Sequence, residues 1–236
     1  MTEKSSIDIF SENYRIIEED ICKSAQSVGL SRDDIILLAA TKTVPYETIN
    51  FAIESGIKYI GENRVQEFLS KDNLITKDVH RHFIGHLQSN KVKDIVGKVE
   101  MIQSVHSVKL ASLIGKLSCE KGITTDILLE VNIGAEENKS GFLKHEIDSA
   151  VEEISKIDGI CVKGMMTIPP VCEKKTEIIP FFEEMYKLFI DNKCKKIDNV
   201  SMEYLSMGMS SDYSEAIKCG SNLVRIGTSL FGKRIY

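Results

Sequence analysis

Several features are missing from this sequence, and each absence removes a class of protein. The six cysteines (Cys22, Cys119, Cys161, Cys172, Cys194 and Cys219) form no C-x-x-C pair. Their scatter suits neither a zinc site nor a disulfide framework, and reads as reduced thiols. No apolar run approaches the roughly 20 residues that cross a bilayer as a helix. The opening residues 1–6 (MTEKSS) have no apolar signal-peptide core behind them. Basic charge is also lacking: a net charge of −5 and a pI near 5.6 argue against a nucleic-acid surface. No linker, low-complexity tract or repeat divides the chain, and no G-x-G-x-x-G marks a dinucleotide site. The expectation is a soluble, cytoplasmic protein without membrane or nucleic-acid partners.

What is present begins with an unbroken apolar run, Ile35-Ile36-Leu37-Leu38-Ala39-Ala40, ending in Thr41 and Lys42. Such a run suits a strand buried on both faces of a parallel sheet. Pro45, which lacks an amide donor, then opens a helical stretch from Tyr46, so the strand stops near Lys42. An ammonium at the carboxyl end of a buried strand sits where parallel α/β folds place their chemistry, although lysines at strand ends also simply reach out to solvent.

The same alternation continues along the chain. A helix over 6–28, with Ser6 as N-cap and Gly29 as its stop, precedes the Lys42 strand. Further strands are expected over 57–60, 81–84, 101–105, 126–132, 160–166, 204–207 and 222–226. Helices are expected to end at 69 and to run over 89–96, 107–117, 145–154, 176–192 and 212–219. Eight strand–helix units are the count of a closed (β/α)8 TIM barrel, here with an extra N-terminal helix. With 236 residues and 42% hydrophobic content, one barrel domain spanning 1–236 is expected. An open doubly wound sheet is the alternative, and it would usually carry a glycine-rich loop after its first strand.

In a barrel the residues ending the strands converge on one mouth. Here they are Lys42, Asn63, Gly85-His86, Ser104, Asn132, Met165-Met166, residues 207–212 and residues 225–228. The loop 206–212 (SMGMSSD) offers hydroxyls at Ser210 and Ser211 and free amides at a helix N-terminus, and Gly227-Thr228 offers more amides. Loops after strands seven and eight are where this barrel recurrently binds phosphate. Each stretch also has a plainer reading: Ser210-Ser211-Asp212 as an N-cap, Gly227 as a turn. His80, His82 and His86 have no carboxylate or cysteine close in sequence to complete a metal set, so no metal site is expected. Met165, Met166, Met207 and Met209 read as packing. Glu62 and Glu67 read as helix-surface carboxylates, the commoner case, with catalytic carboxylates as the alternative, and 134–141 as a long loop or a lid.

A lysine and a phosphate site sharing one mouth suggest pyridoxal 5′-phosphate, whose aldehyde forms a Schiff base with an amine. Desolvation would favour the neutral amine which that reaction needs. A barrel enzyme joining Lys42 to a sugar phosphate would satisfy the same two features.

The segments 39–43 (AATKT), 61–67 (GENRVQE), 82–91 (HFIGHLQSNK), 139–142 (KSGF), 164–166 (GMM), 205–210 (LSMGMS) and 224–228 (VRIGT) together resemble the pyridoxal phosphate homeostasis protein family. These are single-domain barrels related to the cofactor-binding, fold-type-III domain of alanine racemases. The resemblance implies that Lys42 carries the cofactor covalently, and that Ser210, Gly227 and Thr228, with Ser211, hold its phosphate. It also implies that Asn63 lies near the ring and that Arg225 faces the pyridine nitrogen. An arginine there would keep that nitrogen unprotonated and make the ring a poorer electron sink than one held by a carboxylate. Racemisation needs a second base opposite Lys42, which the racemases take from a C-terminal β-domain across a dimer. Nothing in the sequence places His86, Tyr204 or Tyr213 in that role. The resemblance therefore implies a non-catalytic, monomeric carrier in vitamin B6 homeostasis that serves apo forms of pyridoxal-phosphate enzymes. An amino-acid racemase-like enzyme using the same linkage is the alternative.

Overall fold

The apolar run before Lys42 forms β1 (Ile36–Ala40), and its two faces serve different cores. Leu37 and Ala39 pack outward toward the helices, whereas Leu38 and Ala40 point into the lumen with Ile84 and Leu223. The computed structural model describes residues 5–75 and 78–232; the first four residues of the segment read as lacking a signal peptide lie outside them. Seven more strands follow: β2 (Tyr59–Glu62), β3 (His80–Phe83), β4 (Met101–Val105), β5 (Thr125–Val131), β6 (Ile160–Thr167), β7 (Val200–Ser206) and β8 (Leu223–Ile226). They pair in parallel in chain order, and β8 closes on β1 with Leu223 opposite Ile36 and Arg225 opposite Leu38. This is the expected (β/α)8 barrel. On β5 the same alternation sends Ile127, Leu129 and Val131 outward and Leu128 inward against Met101 and Met166.

The helices are α1 (Ser6–Gln26), α2 (Tyr46–Glu54), α3 (Val65–Lys71), α4 (Val92–Ile95), α5 (Val108–Glu120), α6 (Ile147–Ile154), α7 (Lys175–Lys193), α8 (Tyr213–Lys218) and α9 (Thr228–Phe231). The extra helix α1 lies against α2, α8 and α9. Its buried stripe of Phe10, Ile17, Ile21 and Ala25 recurs at helical spacing, and Phe10 stacks on Tyr14 and Phe231 and meets Phe51 edge-on. Ser5, and not Ser6, caps it. The Ser5 hydroxyl accepts from the Asp8 amide while the Asp8 carboxylate accepts from the Ser5 amide.

Other boundaries shift for local reasons. β2 begins two residues later than the pattern suggests, because the amides of Gly56 and Ile57 still close the end of α2 on Ile53 and Ala52. The expected helix over 89–96 is a 3₁₀ turn (Ser89–Lys91) followed by the single turn of α4. The helix start counted after the eighth strand is the single turn of α9. Among the described residues no helix is long and apolar enough to cross a membrane.

Candidate functional site

The chain leaves β1 through Thr41, Lys42 and Thr43, and Thr41 and Thr43 are tied to the β2–α3 wall. The Thr41 amide donates to Gly61 O (2.9 Å), which prolongs the ladder, and its Oγ1 donates to Glu62 Oε1 (2.9 Å). From the last turn of α3, Lys71 Nζ donates to Thr41 O (2.9 Å), Glu62 Oε1 (2.9 Å) and Glu67 Oε1 (2.6 Å). Glu67 Oε1 also accepts from the Thr43 amide. Thr43 sits at φ 64°, a left-handed conformation that costs a non-glycine residue about 1 kcal/mol. Lys42 is half-buried between these anchors. The expectation for Glu62 and Glu67 as helix-surface carboxylates is overturned. Glu62 ends β2 and is only 3% exposed; burial pushes its carboxyl above the usual range, against the pull of Lys71. Glu67 is on α3 but is turned into the same cluster.

Asn63 follows β2, and its Oδ1 is buried with no hydrogen-bond partner among the described residues. An acceptor left like that marks a place for a donor from elsewhere. Gly85, after β3, packs on the Asn63 backbone so closely that a Cβ would lie 2.0 Å from Asn63 O. The motif therefore requires glycine there.

On the far side of β1, the loops after β7 and β8 interlock. Ser210 Oγ accepts from the amides of Gly227 (3.3 Å) and Ser229 (3.2 Å), and Ser229 Oγ donates to Ser210 O (3.1 Å). Ser210, Gly227 and Thr228 are thus brought to one spot, at the start of α9. Asp212 is the N-cap residue of α8, but its carboxylate turns back into the loop and makes no capping bond. Asp212 Oδ1 accepts from the Met209 amide (2.7 Å) and Oδ2 from Ser211 Oγ (2.9 Å). Gly208, at φ 93°, has its Cα within reach of Ala216, and a Cβ there would lie 2.6 Å from the Ala216 Cβ.

Arg225 is buried in the lumen on β8. Nη1 donates to Ser206 Oγ (2.6 Å) and Nη2 to Thr167 O (2.9 Å). Burial pulls its guanidinium down to about 10, opposed by Asp212 and Glu130, so it remains a cation at neutral pH. Because arginine only donates, a direction propagates from it. The Ser206 hydroxyl donates to Gln103 Oε1 (2.7 Å), and Gln103 Nε2 donates to His82 Nδ1 (2.8 Å). Burial, and then the charge of nearby His80, depress His82 to about 3, so it stays neutral and accepts. This chain of hydrogen bonds crosses the lumen from β8 through β7 and β4 to β3. His80 pairs instead with Glu100 (2.6 Å) and His86 stacks on His106, so the three histidines go separate ways. Among the described residues no group of three potential metal ligands comes together.

β5 stands four strands from β1 and so faces it across the lumen. Its Glu130 accepts from Ser140 Oγ (3.2 Å) on Oε1, while Oε2 is buried without a hydrogen-bond partner among the described residues. Burial raises its carboxyl, opposed by His106, His86 and Arg225. Sequence reading missed Glu130, Gln103 and Ser206 as site residues. The alternation of β4, β5 and β7 could have found all three, since each lies on the lumen face. Ser104 donates to Gly85 O (2.6 Å), and Met166 packs below among Leu128 and Met101.

The mouth therefore combines an amine on a fixed loop, a cluster of amides and hydroxyls suited to an anion, and a buried cation between them. Comparison with known proteins points the same way. The alanine racemase N-terminal domain family matches residues 39–234. The chain is 41% identical to the pyridoxal phosphate homeostasis protein of Aquifex aeolicus, over 95% of this chain and 98% of that protein. It is 33% identical to the Haemophilus influenzae protein of the same name, over 95% of each. The solved structure of PipY from Synechococcus elongatus with PLP bound superposes with a TM-score of 0.79 at 28% identity, covering 92% of this chain and 100% of that one. An alanine racemase of Clostridium difficile shares the fold (TM-score 0.73, 17% identity), and the match takes in 95% of this chain and 58% of that chain.

Proposed function

The chain belongs to the pyridoxal phosphate homeostasis protein family, and from that premise we propose that it carries pyridoxal 5′-phosphate reversibly on Lys42 as a Schiff base and serves vitamin B6 homeostasis as a non-catalytic carrier. When bound, that cofactor supplies an aldehyde that joins an amine and a ring that accepts electron density. The observation that carries the reading is the pairing, at one mouth, of Lys42 with the amides of Gly227 and Ser229 converging on Ser210.

The residues present fit the group. Ser210, Gly227 and Thr228 would hold the phosphate, and Ser211 would join them by turning its hydroxyl away from Asp212 Oδ2. Asn63 brings a buried acceptor without a partner to the ring side. Arg225, held by Ser206 and Thr167, would face the ring nitrogen, and a guanidinium there would leave that nitrogen without a proton. A cation in that position disfavours carbanion chemistry, which supports carriage over turnover. We assign the protein to the cytoplasm, as a monomer whose partners are apo forms of pyridoxal-phosphate enzymes.

Purified protein loaded with the cofactor should be yellow, and borohydride should fix the cofactor's mass on the peptide containing Lys42. A colourless protein without that adduct would exclude the reading. Incubation of the loaded protein with L-alanine in deuterated water separates carrier from racemase: the α-hydrogen should not exchange with inversion over multiple turnovers.

A further inference from the structure

We propose that Lys71, acting with Glu62 and Glu67, is a positioning residue for Lys42: it clamps the backbone on both sides of that lysine so that the amine is presented to the mouth in one orientation. The inference rests on the reading of Lys42 as the amine that takes the cofactor.

Three bonds join the residues flanking Lys42 to side chains of β2 and α3. Lys71 Nζ holds Thr41 O, Glu62 Oε1 holds Thr41 Oγ1, and Glu67 Oε1 holds the Thr43 amide. Lys71 Nζ in turn bonds both carboxylates, so one ammonium closes the whole clamp. Its side chain is 12% exposed and that of Glu62 4%. Charges buried this deeply are weak stabilisers of a fold, because apolar residues of similar volume often do as well. What the cluster supplies instead is geometry. Thr43 is kept at φ 64°, where a threonine does not go unaided, and the Thr43 hydroxyl adds a bond to Lys42 O (2.6 Å). With both neighbouring residues tied to β2 and α3, the stem of Lys42 starts from a fixed backbone. An amine attacking a carbonyl held by its phosphate at the neighbouring β7–β8 wall depends on that start, since about 1 Å of misplacement is enough to cost orders of magnitude in rate.

The test compares wild type, Lys71→Met and Glu67→Gln, with thermal melting as a check on folding. Each protein is mixed with pyridoxal 5′-phosphate and quenched with borohydride over time, and the adduct on the Lys42 peptide is quantified by mass. In parallel, the cofactor-free proteins receive trace acetic anhydride, and acetylation of Lys42 is counted. Lys71→Met should slow adduct formation about ten-fold or more and Glu67→Gln about three-fold, while Lys42 acetylation stays within about two-fold of wild type or rises. That split separates orientation from a general loss of reactivity. Equal slowing of both reactions would overturn the proposal, as would an adduct rate for folded Lys71→Met equal to wild type. If Lys71→Met does not fold, the milder Glu67→Gln decides, and a wild-type rate there overturns it. A wild type that forms no adduct on Lys42 removes the carrier reading and this inference together; a normal wild-type adduct with an unaffected clamp variant removes this inference alone.

Discussion

On the β1–β2 side of the mouth, Thr41 and Thr43 are tied to one ammonium and two carboxylates. On the β7–β8 side, Ser210 is tied to the amides of Gly227 and Ser229 and to the Ser229 hydroxyl, all uncharged. The difference follows what each wall would have to hold. An attacking amine needs a fixed origin, and charged, desolvated bonds of 2.6–2.9 Å fix a backbone firmly at the cost of burying ions. An arriving anion needs donors that it can take over. Amides already aimed at a serine hydroxyl can turn to a phosphate oxygen without any counter-charge having to leave. Rigidity is thus concentrated on one wall and exchangeable donors on the other.

Lys42→Ala is the sharpest way to break the comparison, because it empties one wall and leaves the other intact. Covalent adduct should disappear completely in borohydride trapping. Non-covalent binding of pyridoxal 5′-phosphate should survive, and inorganic phosphate should compete for it. Loss of all binding would mean that the β7–β8 wall cannot hold the anion by itself.

His82, on β3, is linked to the β7–β8 wall through Gln103, Ser206 and Arg225, and its titration offers a second test. Its folded value near 3 lies below the unfolded value of 6.5, so the unfolded chain binds more protons between those limits. Stability contributed by neutral His82 is therefore complete above pH 6.5 and is lost as pH falls toward 3. Over the two units below 6.5 the loss amounts to about 2–3 kcal/mol. Denaturant melts of wild type should show this decline, and His82→Gln, which can still accept from Gln103 but cannot titrate, should show a shallower one by about that amount. Identical pH slopes would place the titration elsewhere.

The two walls were also unequally legible. Strand periods and the lysine at the end of an apolar run were sufficient for the barrel, because buried parallel strands must be apolar and their ends must converge. The loops after β7 and β8 stood out because serine, glycine and threonine next to a helix start have few uses besides capping and anion binding. The ion cluster did not. Glu67 and Lys71 have the i,i+4 spacing of an ordinary solvated helix face and Glu62 stands just before that helix, and only closure of the barrel, which sets α3 over the exit from β1, turns them inward. Glu130 and Gln103 were hidden for a related reason. A polar residue inside an apolar strand looks like an interruption until the register shows that it lies on the lumen face. The partner of His82 was hidden as well, because sequence spacing speaks against a metal set around it but does not show that Gln103 holds it across the lumen.

Ser210→Ala is the mildest of these changes and the one that tests whether the walls act separately. In the cofactor-free protein it deprives two amides, at 3.3 and 3.2 Å, of their acceptor. They are only partly buried, so water can replace the hydroxyl and the cost to stability should stay near 1 kcal/mol or below. With the cofactor present, one neutral donor to the phosphate is lost, worth about 1 kcal/mol, or roughly five-fold in affinity. If the two walls hold the cofactor independently, the same factor should be found when Ser210→Ala is made in the Lys42→Ala background, to within about 0.5 kcal/mol. Isothermal titration of the four proteins checks this directly. A coupling well above that limit would mean that the anion wall and the amine wall are connected, and the chain from Arg225 to His82 would be the first place to look for the connection.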